Sequence, residues 1–302
     1  LGREAFRSWV KERWKGAAFG DEPLAHHTYL KVGGPCDLMV FPQSLEDLKE
    51  ILGEASKAGE PLLVMGRGTN LLVQDGGIRG TVLNLCRGLK EMKFSCDVVQ
   101  AGAGVDLPLL AAGAAKRGLS GLEFLSGIPG TVGGGAKGNA GAFGGSIDQV
   151  LERLWILNWQ GQPHTFPRRD LAFSYRRCLL PCEGVIVEAE FRLRQEEPPV
   201  VQEKMESIQA ERRRSQPLPA ATAGSVFRNP PGAHAGQIIE SLGLKGKMVG
   251  RARISELHAN FIENLGGARA ADVRRLIELV QERAERELNI KLELEVQVVG
   301  ER

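Results

Sequence analysis

The sequence has little net charge, no long apolar run and no paired cysteine motif. Lys and Arg total 39 against 37 Asp and Glu, a net charge of +2, which excludes the broad basic surface of a nucleic-acid-binding chain. No window approaches the roughly 18 uninterrupted apolar residues of a membrane span. The cysteines Cys36, Cys86, Cys96, Cys178 and Cys182 are odd in number and contain no CxxC, so they read as thiols in a reducing compartment. His26, His27, His164, His234 and His258 include no pair four residues apart, and no metal site is expected. Arg3, Glu4, Arg7, Lys11, Glu12, Arg13 and Lys15 exclude an apolar signal-peptide region and predict a short amphipathic helix. No Walker A motif occurs, because Gly246-Lys247 is followed by Met248. No GxSxG elbow surrounds Ser225. A cytoplasmic globular protein is expected, and 302 residues give a prior of about two domains.

What the chain has in excess is glycine: 38 of 302 residues, against an average usage of about 7%. Such an excess without a repeat marks backbone that turns tightly or approaches a ligand closely. Nine of the glycines fall within 127–145.

Periodicity predicts the elements. A helix starts at Ser44 with Asp47 three residues on, and strands are expected at 61–65, 71–73 and 81–85. Residues 28–41 read as strand and turn around Gly33-Gly34-Pro35. Short strands are expected at 98–99 and 102–105, a helix over 107–117, and strands over 150–159 and 184–193. Glu196-Glu197-Pro198-Pro199 reads as a linker. Beyond it come helices over 200–214 and 235–242, and a strand over 259–263. A helix over 270–288 carries Val273, Leu276, Ile277, Val280, Ala284 and Leu288 on one face, and an alternating last strand covers 291–299 with Glu295 in its outward row.

Several constellations have two readings. Gly133-Gly134-Gly135-Ala136-Lys137-Gly138 matches GxGxxG only formally, because more glycines follow where a dinucleotide fingerprint needs an apolar helix. This stretch and Gly66-Arg67-Gly68-Thr69-Asn70 are tight turns or, as bare N–H concavities, anion cradles; two of them point to a large phosphate-bearing cofactor. Arg176 beside Tyr175 is a surface residue or a fork for a carboxylate. Ser225 within Gly224-Ser225-Val226-Phe227-Arg228-Asn229-Pro230 is a turn residue or a proton donor. Arg212, Arg213 and Arg214 answer a helix dipole or a diphosphate. Lys245, within Gly243-Leu244-Lys245-Gly246, lies at a solvated helix end or in a basic turn.

In this order, from about residue 25 to 299, these motifs resemble the UDP-N-acetylenolpyruvoylglucosamine reductases of peptidoglycan precursor synthesis, in their compact subtype without an extra substrate-covering loop. The carrying stretches are Thr28 with Gly33-Gly34-Pro35, Gly66-Arg67-Gly68-Thr69-Asn70-Leu71-Leu72, and Gly127-Ile128-Pro129-Gly130-Thr131-Val132-Gly133-Gly134. They continue with Asn139-Ala140-Gly141-Ala142-Phe143-Gly144, Tyr175-Arg176, the Gly224 to Pro230 motif, Ala235-Gly236, Gly243-Leu244-Lys245-Gly246 and Leu292-Glu293-Leu294-Glu295-Val296.

The resemblance implies an α+β fold. A two-lobed FAD-binding domain of the vanillyl-alcohol-oxidase type spans 1–195, with lobes over about 1–85 and 86–195. A smaller C-terminal substrate domain spans 196–302, its last strand returning towards the flavin. It implies non-covalent FAD on Gly66, Arg67, Gly68, Thr69, Asn70, Leu71, Gly127, Ile128, Pro129, Gly130, Thr131, Gly133, Gly134, Asn139, Ala140 and Gly141, with NADPH as co-substrate; a monomer is expected, although no residue pattern encodes the oligomeric state. It makes Ser225 the general acid, Arg176 the carboxylate clamp and Glu295 its partner. Tyr175, Arg214, Gln216, Asn229 and Lys245 then contact UDP-N-acetylglucosamine-enolpyruvate. Hydride passes from flavin N5 to C3 of the enolpyruvyl group and a proton from Ser225 to C2. Gln216 stands where some members have Lys, Gln297 where some have Arg, Ala271 where some have Glu, and Arg228 where Lys is commoner. A flavin oxidase on the same fold and a non-enzymatic nucleotide-binding module are the alternatives.

Overall fold

The computed structural model describes residues 2–302, which fall into two compact units. The first comprises residues 1–19, 38–67 and 80–211; the second comprises 20–37, 68–79 and 212–302. The division is interleaved rather than sequential: two early segments cluster with the C-terminal third.

The first unit contains a five-stranded antiparallel sheet ordered Pro163–Pro167, Leu151–Asn158, Gly184–Arg192, Val98–Gly102, Met92–Ser95. Val185, Val187, Ala189 and Phe191 are all buried, but a bulge opposite Trp155 and Ile156 breaks the period of two, so Val185 and Val187 join one core while Ile186, Ala189 and Phe191 join another. The helix Leu107–Ala115 is short and almost wholly apolar. Its Leu110, Ala111 and Ala114 join Val132, Leu154 and Phe191 in one core. A second core forms where the helices Arg3–Arg13 and Leu45–Ala58 bury Phe6, Val10, Leu48, Ile51, Leu52 and Ala55. Ser44 accepts from Asp47 N–H while the Asp47 carboxylate accepts from Ser44 N–H, the reciprocal cap expected. Gly59 closes that helix in the left-handed region at φ 64°.

The second unit contains a four-stranded antiparallel sheet ordered Ala221–Ser225, Phe261–Asn264, Ala252–Ile254, Met248–Val249. The helix Ala270–Leu288 buries Val273, Leu276, Ile277, Val280 and Ala284 in a core shared with Ile238, Ile239 and Ile262. Its first free N–H groups, of Ala270 and Ala271, donate to Asp75 Oδ1 and Oδ2 at 2.9 and 3.0 Å. Gln297–Val299 pairs in parallel with Leu71–Val73.

Four expectations need correction. Residues 196–199 are no linker: Arg194–Gln195 pairs with Leu119–Ser120, and Pro198 opens the helix Pro198–Ser215, where a missing N–H costs nothing. The last strand shrinks to Gln297–Val299, because ahead of it only Leu294 makes a bridge, to Phe227. Residues 102–105 turn instead of extending: Val105 N–H closes onto Gly102 C=O at 3.0 Å. Leu288 lies past the buried stripe and is 41% exposed.

Candidate functional site

Ser225 ends the strand Ala221–Ser225, and a bulge precedes it: the pairing with Phe261–Asn264 slips between Thr222 and Ser225. Gly224, within the bulge, has φ 75°, a conformation in which a side chain would be strained. Bulges re-aim the residue that follows, so the glycine before Ser225 sets its direction. Behind it, buried Asn260 grips the next peptide. Its Oδ1 accepts from Phe227 N–H at 2.9 Å, its Nδ2 donates to Phe227 C=O at 2.8 Å, and its own C=O accepts from Val226 N–H.

Glu295 lies alongside. Its N–H donates to Val226 C=O at 2.8 Å, and Arg228 N–H donates to Glu293 C=O at 2.9 Å. Ser225 and Glu295, 70 positions apart in the chain, therefore sit on adjoining stretches of backbone. Glu295 is half-buried rather than fully outward.

Arg176 belongs to the first unit. The hairpin Ala172–Ser174/Arg177–Leu179 turns through Tyr175 and Arg176, and Arg176 takes φ 58°. A non-glycine residue there is uncommon. Its Nη1 donates to Gly141 C=O at 2.7 Å, and its guanidinium lies 5.4 Å from the Tyr175 ring. Asn139 anchors the hairpin: Nδ2 donates to Ser174 C=O, while Oδ1 accepts from Asp148 N–H. Thus Asn139 and Gly141, read from sequence as flavin residues, also support the arginine turn.

The two glycine-rich loops meet at Gly66 and Thr131. A Cβ at residue 66 would lie 2.4 Å from Thr131 Oγ1, so only glycine allows this approach. Gly68 is left-handed at φ 61° and Gly130 has φ 150°. Thr131 pairs with Asp106 in a single bridge and precedes the helix Val132–Lys137, whose first residues include Gly133 and Gly134. Ile128 and Ala140 pack on the core. Within the first unit, the bare backbone about Gly66, Gly130 and the start of Val132–Lys137 is a donor set suited to a diphosphate, and these residues fit FAD. Arg67 directs its fork to Asp106, through Nε and Nη2 at 2.5 and 2.6 Å.

The expected substrate contacts are spread over the second unit, Tyr175 apart. Lys245 Nζ lies 2.6 Å from Glu240 Oε1. Asn229 Oδ1 accepts from Ala235 N–H and so caps the helix Ala235–Ser241. Arg214 is exposed in the last turn of Pro198–Ser215, and Gln216 N–H donates to Arg212 C=O. The cysteines are free, and burial pushes the Cys178 thiol up to about 11. Sequence reasoning missed Asn260 and Asp75. An amide inside the apolar run Ala259-Asn260-Phe261-Ile262 was the one available signal for the first. Asp75 gave none, since its partners lie 195 positions away. Among the described residues no helix is long and apolar enough to cross a membrane.

Comparison with known proteins converges on one family. Residues 216–299 match the C-terminal domain of UDP-N-acetylenolpyruvoylglucosamine reductase, and residues 36–166 match an FAD binding domain. The UDP-N-acetylenolpyruvoylglucosamine reductase of Syntrophus aciditrophicus is 46% identical, covering 97% of this chain and 96% of its own; that of Bacillus pumilus is 40% identical over 99% of both. The crystal structure of the enzyme from Thermus caldophilus superposes with a TM-score of 0.82 at 38% identity, covering 94% of this chain and 98% of that one. The glucose dehydrogenase Phl p 4.0202 shares the fold alone, with a TM-score of 0.50 at 13% identity over 64% of this chain and 44% of its own. The chain is an α+β flavoprotein with an FAD-binding domain of the vanillyl-alcohol-oxidase type, and it belongs to the UDP-N-acetylenolpyruvoylglucosamine reductases, FAD-dependent oxidoreductases of peptidoglycan synthesis whose co-substrate is NADPH.

Proposed function

We propose that this chain, a cytoplasmic monomer, uses NADPH to reduce the enolpyruvyl ether of UDP-N-acetylglucosamine-enolpyruvate to the lactyl ether of UDP-N-acetylmuramate. Residues 1–195, Tyr175 and Arg176 apart, serve the flavin and 196–302 the sugar nucleotide. The observation that carries this reading is the frame that holds Ser225 beside Glu295: Glu295 N–H donates to Val226 C=O at 2.8 Å.

Residues 66–71, 127–131, 133–134 and 139–141 would hold FAD, which when bound would supply hydride to C3 of the enol ether. That addition pushes negative charge onto the conjugated carboxylate. The Arg176 guanidinium answers the charge with a planar fork, and Glu295 is its partner at the carboxylate. The Ser225 hydroxyl gives its proton to C2, so that hydride at C3 and proton at C2 together add two electrons and two protons to the double bond. Asn229 and Lys245 orient the sugar nucleotide with Tyr175. Arg214 and Gln216 face its diphosphate.

The test is an anaerobic titration of the flavin absorbance with NADPH, then with the enolpyruvyl sugar nucleotide. Wild-type protein bleaches and recovers. Ser225→Ala bleaches normally and recovers about 10²–10⁴-fold more slowly. Recovery of that variant at the wild-type rate refutes the acid role. Recovery of the wild type with oxygen alone refutes the substrate.

A further inference from the structure

We infer that Asn70 is a positioning residue for Glu295, so that the glycine-rich loop read as a flavin cradle also sets the group facing the substrate carboxylate. The inference rests on the proposed reaction and goes beyond the cofactor contact that the resemblance gives to Asn70.

The geometry is a bracket within the second unit. Asn70 Nδ2 donates to Glu295 C=O at 3.1 Å. Two residues on, Gln297 N–H donates to Asn70 C=O at 3.0 Å. Residue 70 thus holds the backbone before and after Val296, with its side chain on the Glu295 carbonyl and its main chain on the Gln297 N–H. The opposite side of the same stretch is held by Val226, whose C=O accepts from both Glu295 and Val296 at 2.8 and 3.3 Å. Glu295 lies outside the ladder of Gln297–Val299 with Leu71–Val73, so strand pairing does not fix it. Val226 holds its peptide from the Ser225 side and the Asn70 amide from the loop side. Removing the amide leaves the main-chain bond to Gln297, so the strand stays while residue 295 loses its anchor on the loop side.

The test separates this role from a loss of shape or of flavin. Asn70→Asp keeps the volume but turns the donor into an acceptor facing the Glu295 carbonyl, whereas Asn70→Ala removes both volume and donor. In the FAD-loaded protein, amide hydrogen exchange over 292–299 is expected to speed up about tenfold in both variants, the factor one hydrogen bond is worth, with Asp no better than Ala. In rapid kinetics, reoxidation by the enolpyruvyl substrate is expected to slow about 10- to 100-fold beyond any change in reduction by NADPH. In a Glu295→Gln background the same changes at residue 70 add no further loss. Unchanged exchange over 292–299, an Asp variant that behaves as wild type, or an equal loss in the Glu295→Gln background overturns the inference. If wild-type flavin is not reoxidised by the sugar nucleotide at all, the proposed reaction fails, while the exchange experiment still decides whether Asn70 anchors residue 295.

Discussion

Asn260 offers the sharpest test of how the Ser225 segment is held. Replacement with Leu keeps the volume and removes both partners of the Phe227 peptide, the acceptor at 2.9 Å and the donor at 2.8 Å. Phe227 is 1% exposed and Asn260 is 4% exposed, so water does not reach the orphaned groups. Each buried backbone group left unsatisfied costs about 1–3 kcal/mol, which gives about 2–6 kcal/mol for the pair. That is a large part of a typical stability of about 5–15 kcal/mol. At roughly 2–4 °C per kcal/mol, melting should fall by at least about 4 °C. Asn260→Asp keeps the acceptor and loses only the donor, so its melting point should lie between. Thermal and urea unfolding followed by circular dichroism measure both. An Asn260→Leu protein that melts within about 1 °C of wild type would show that the amide clamp is not what holds this segment.

Asp75 should matter to the helix Ala270–Leu288 although it lies nearly 200 positions earlier. Asp75→Ala strips the cap from two N–H groups and should cost about 0.5–2 kcal/mol, read as a lower urea midpoint. Asp75→Asn, with one acceptor left, should lose less, and an unshifted midpoint for Ala contradicts the cap. His258 should make the protein acid-sensitive. Burial, with a smaller contribution from Lys245, holds its imidazole below the ordinary 6.5, while its Nδ1 accepts from Asn260 N–H at 3.2 Å. The unfolded chain therefore takes up the proton first as pH falls. The histidine's contribution is complete above 6.5 and declines below it, through the lowered folded value. Melting temperature should drop between about pH 7 and 5 more steeply in wild type than in His258→Asn, and equal slopes would rule the histidine out.

The fold was most legible where one element buries one face. The stripe of Val273, Leu276, Ile277, Val280 and Ala284 fixes a helix by its period, and Ser44 with Asp47 marks another helix start. It was least legible where a segment depends on a distant partner. Residues 291–296 alternate like a strand, yet the burial of Leu292 and Val296 serves packing, and no full ladder forms. The paired prolines at 198 and 199 read as a break because their other use, opening a helix, carries the same local signal. Of the candidate site, residue types and order were readable as a resemblance. The bulge that turns Ser225, the Asn260 clamp and the left-handed Arg176 were not, because each arises from contacts across the fold rather than from neighbours in the chain.

The pairing of Leu71–Val73 with Gln297–Val299 has a consequence for biosynthesis. Gln74 Nε2 donates to Gly300 C=O across 226 positions, and Gly76 and Gly77 exchange main-chain bonds with Glu301. At about 5–20 residues per second, a ribosome takes roughly 10–45 s to add that interval. Throughout it the early strand waits with its hydrogen-bonding edge open, and Asn70 has no residue 295 to hold. Residues 297–301 are thus the ones that close the second unit, and a chain cut short before 297 leaves a sticky edge for chaperones or proteases to find.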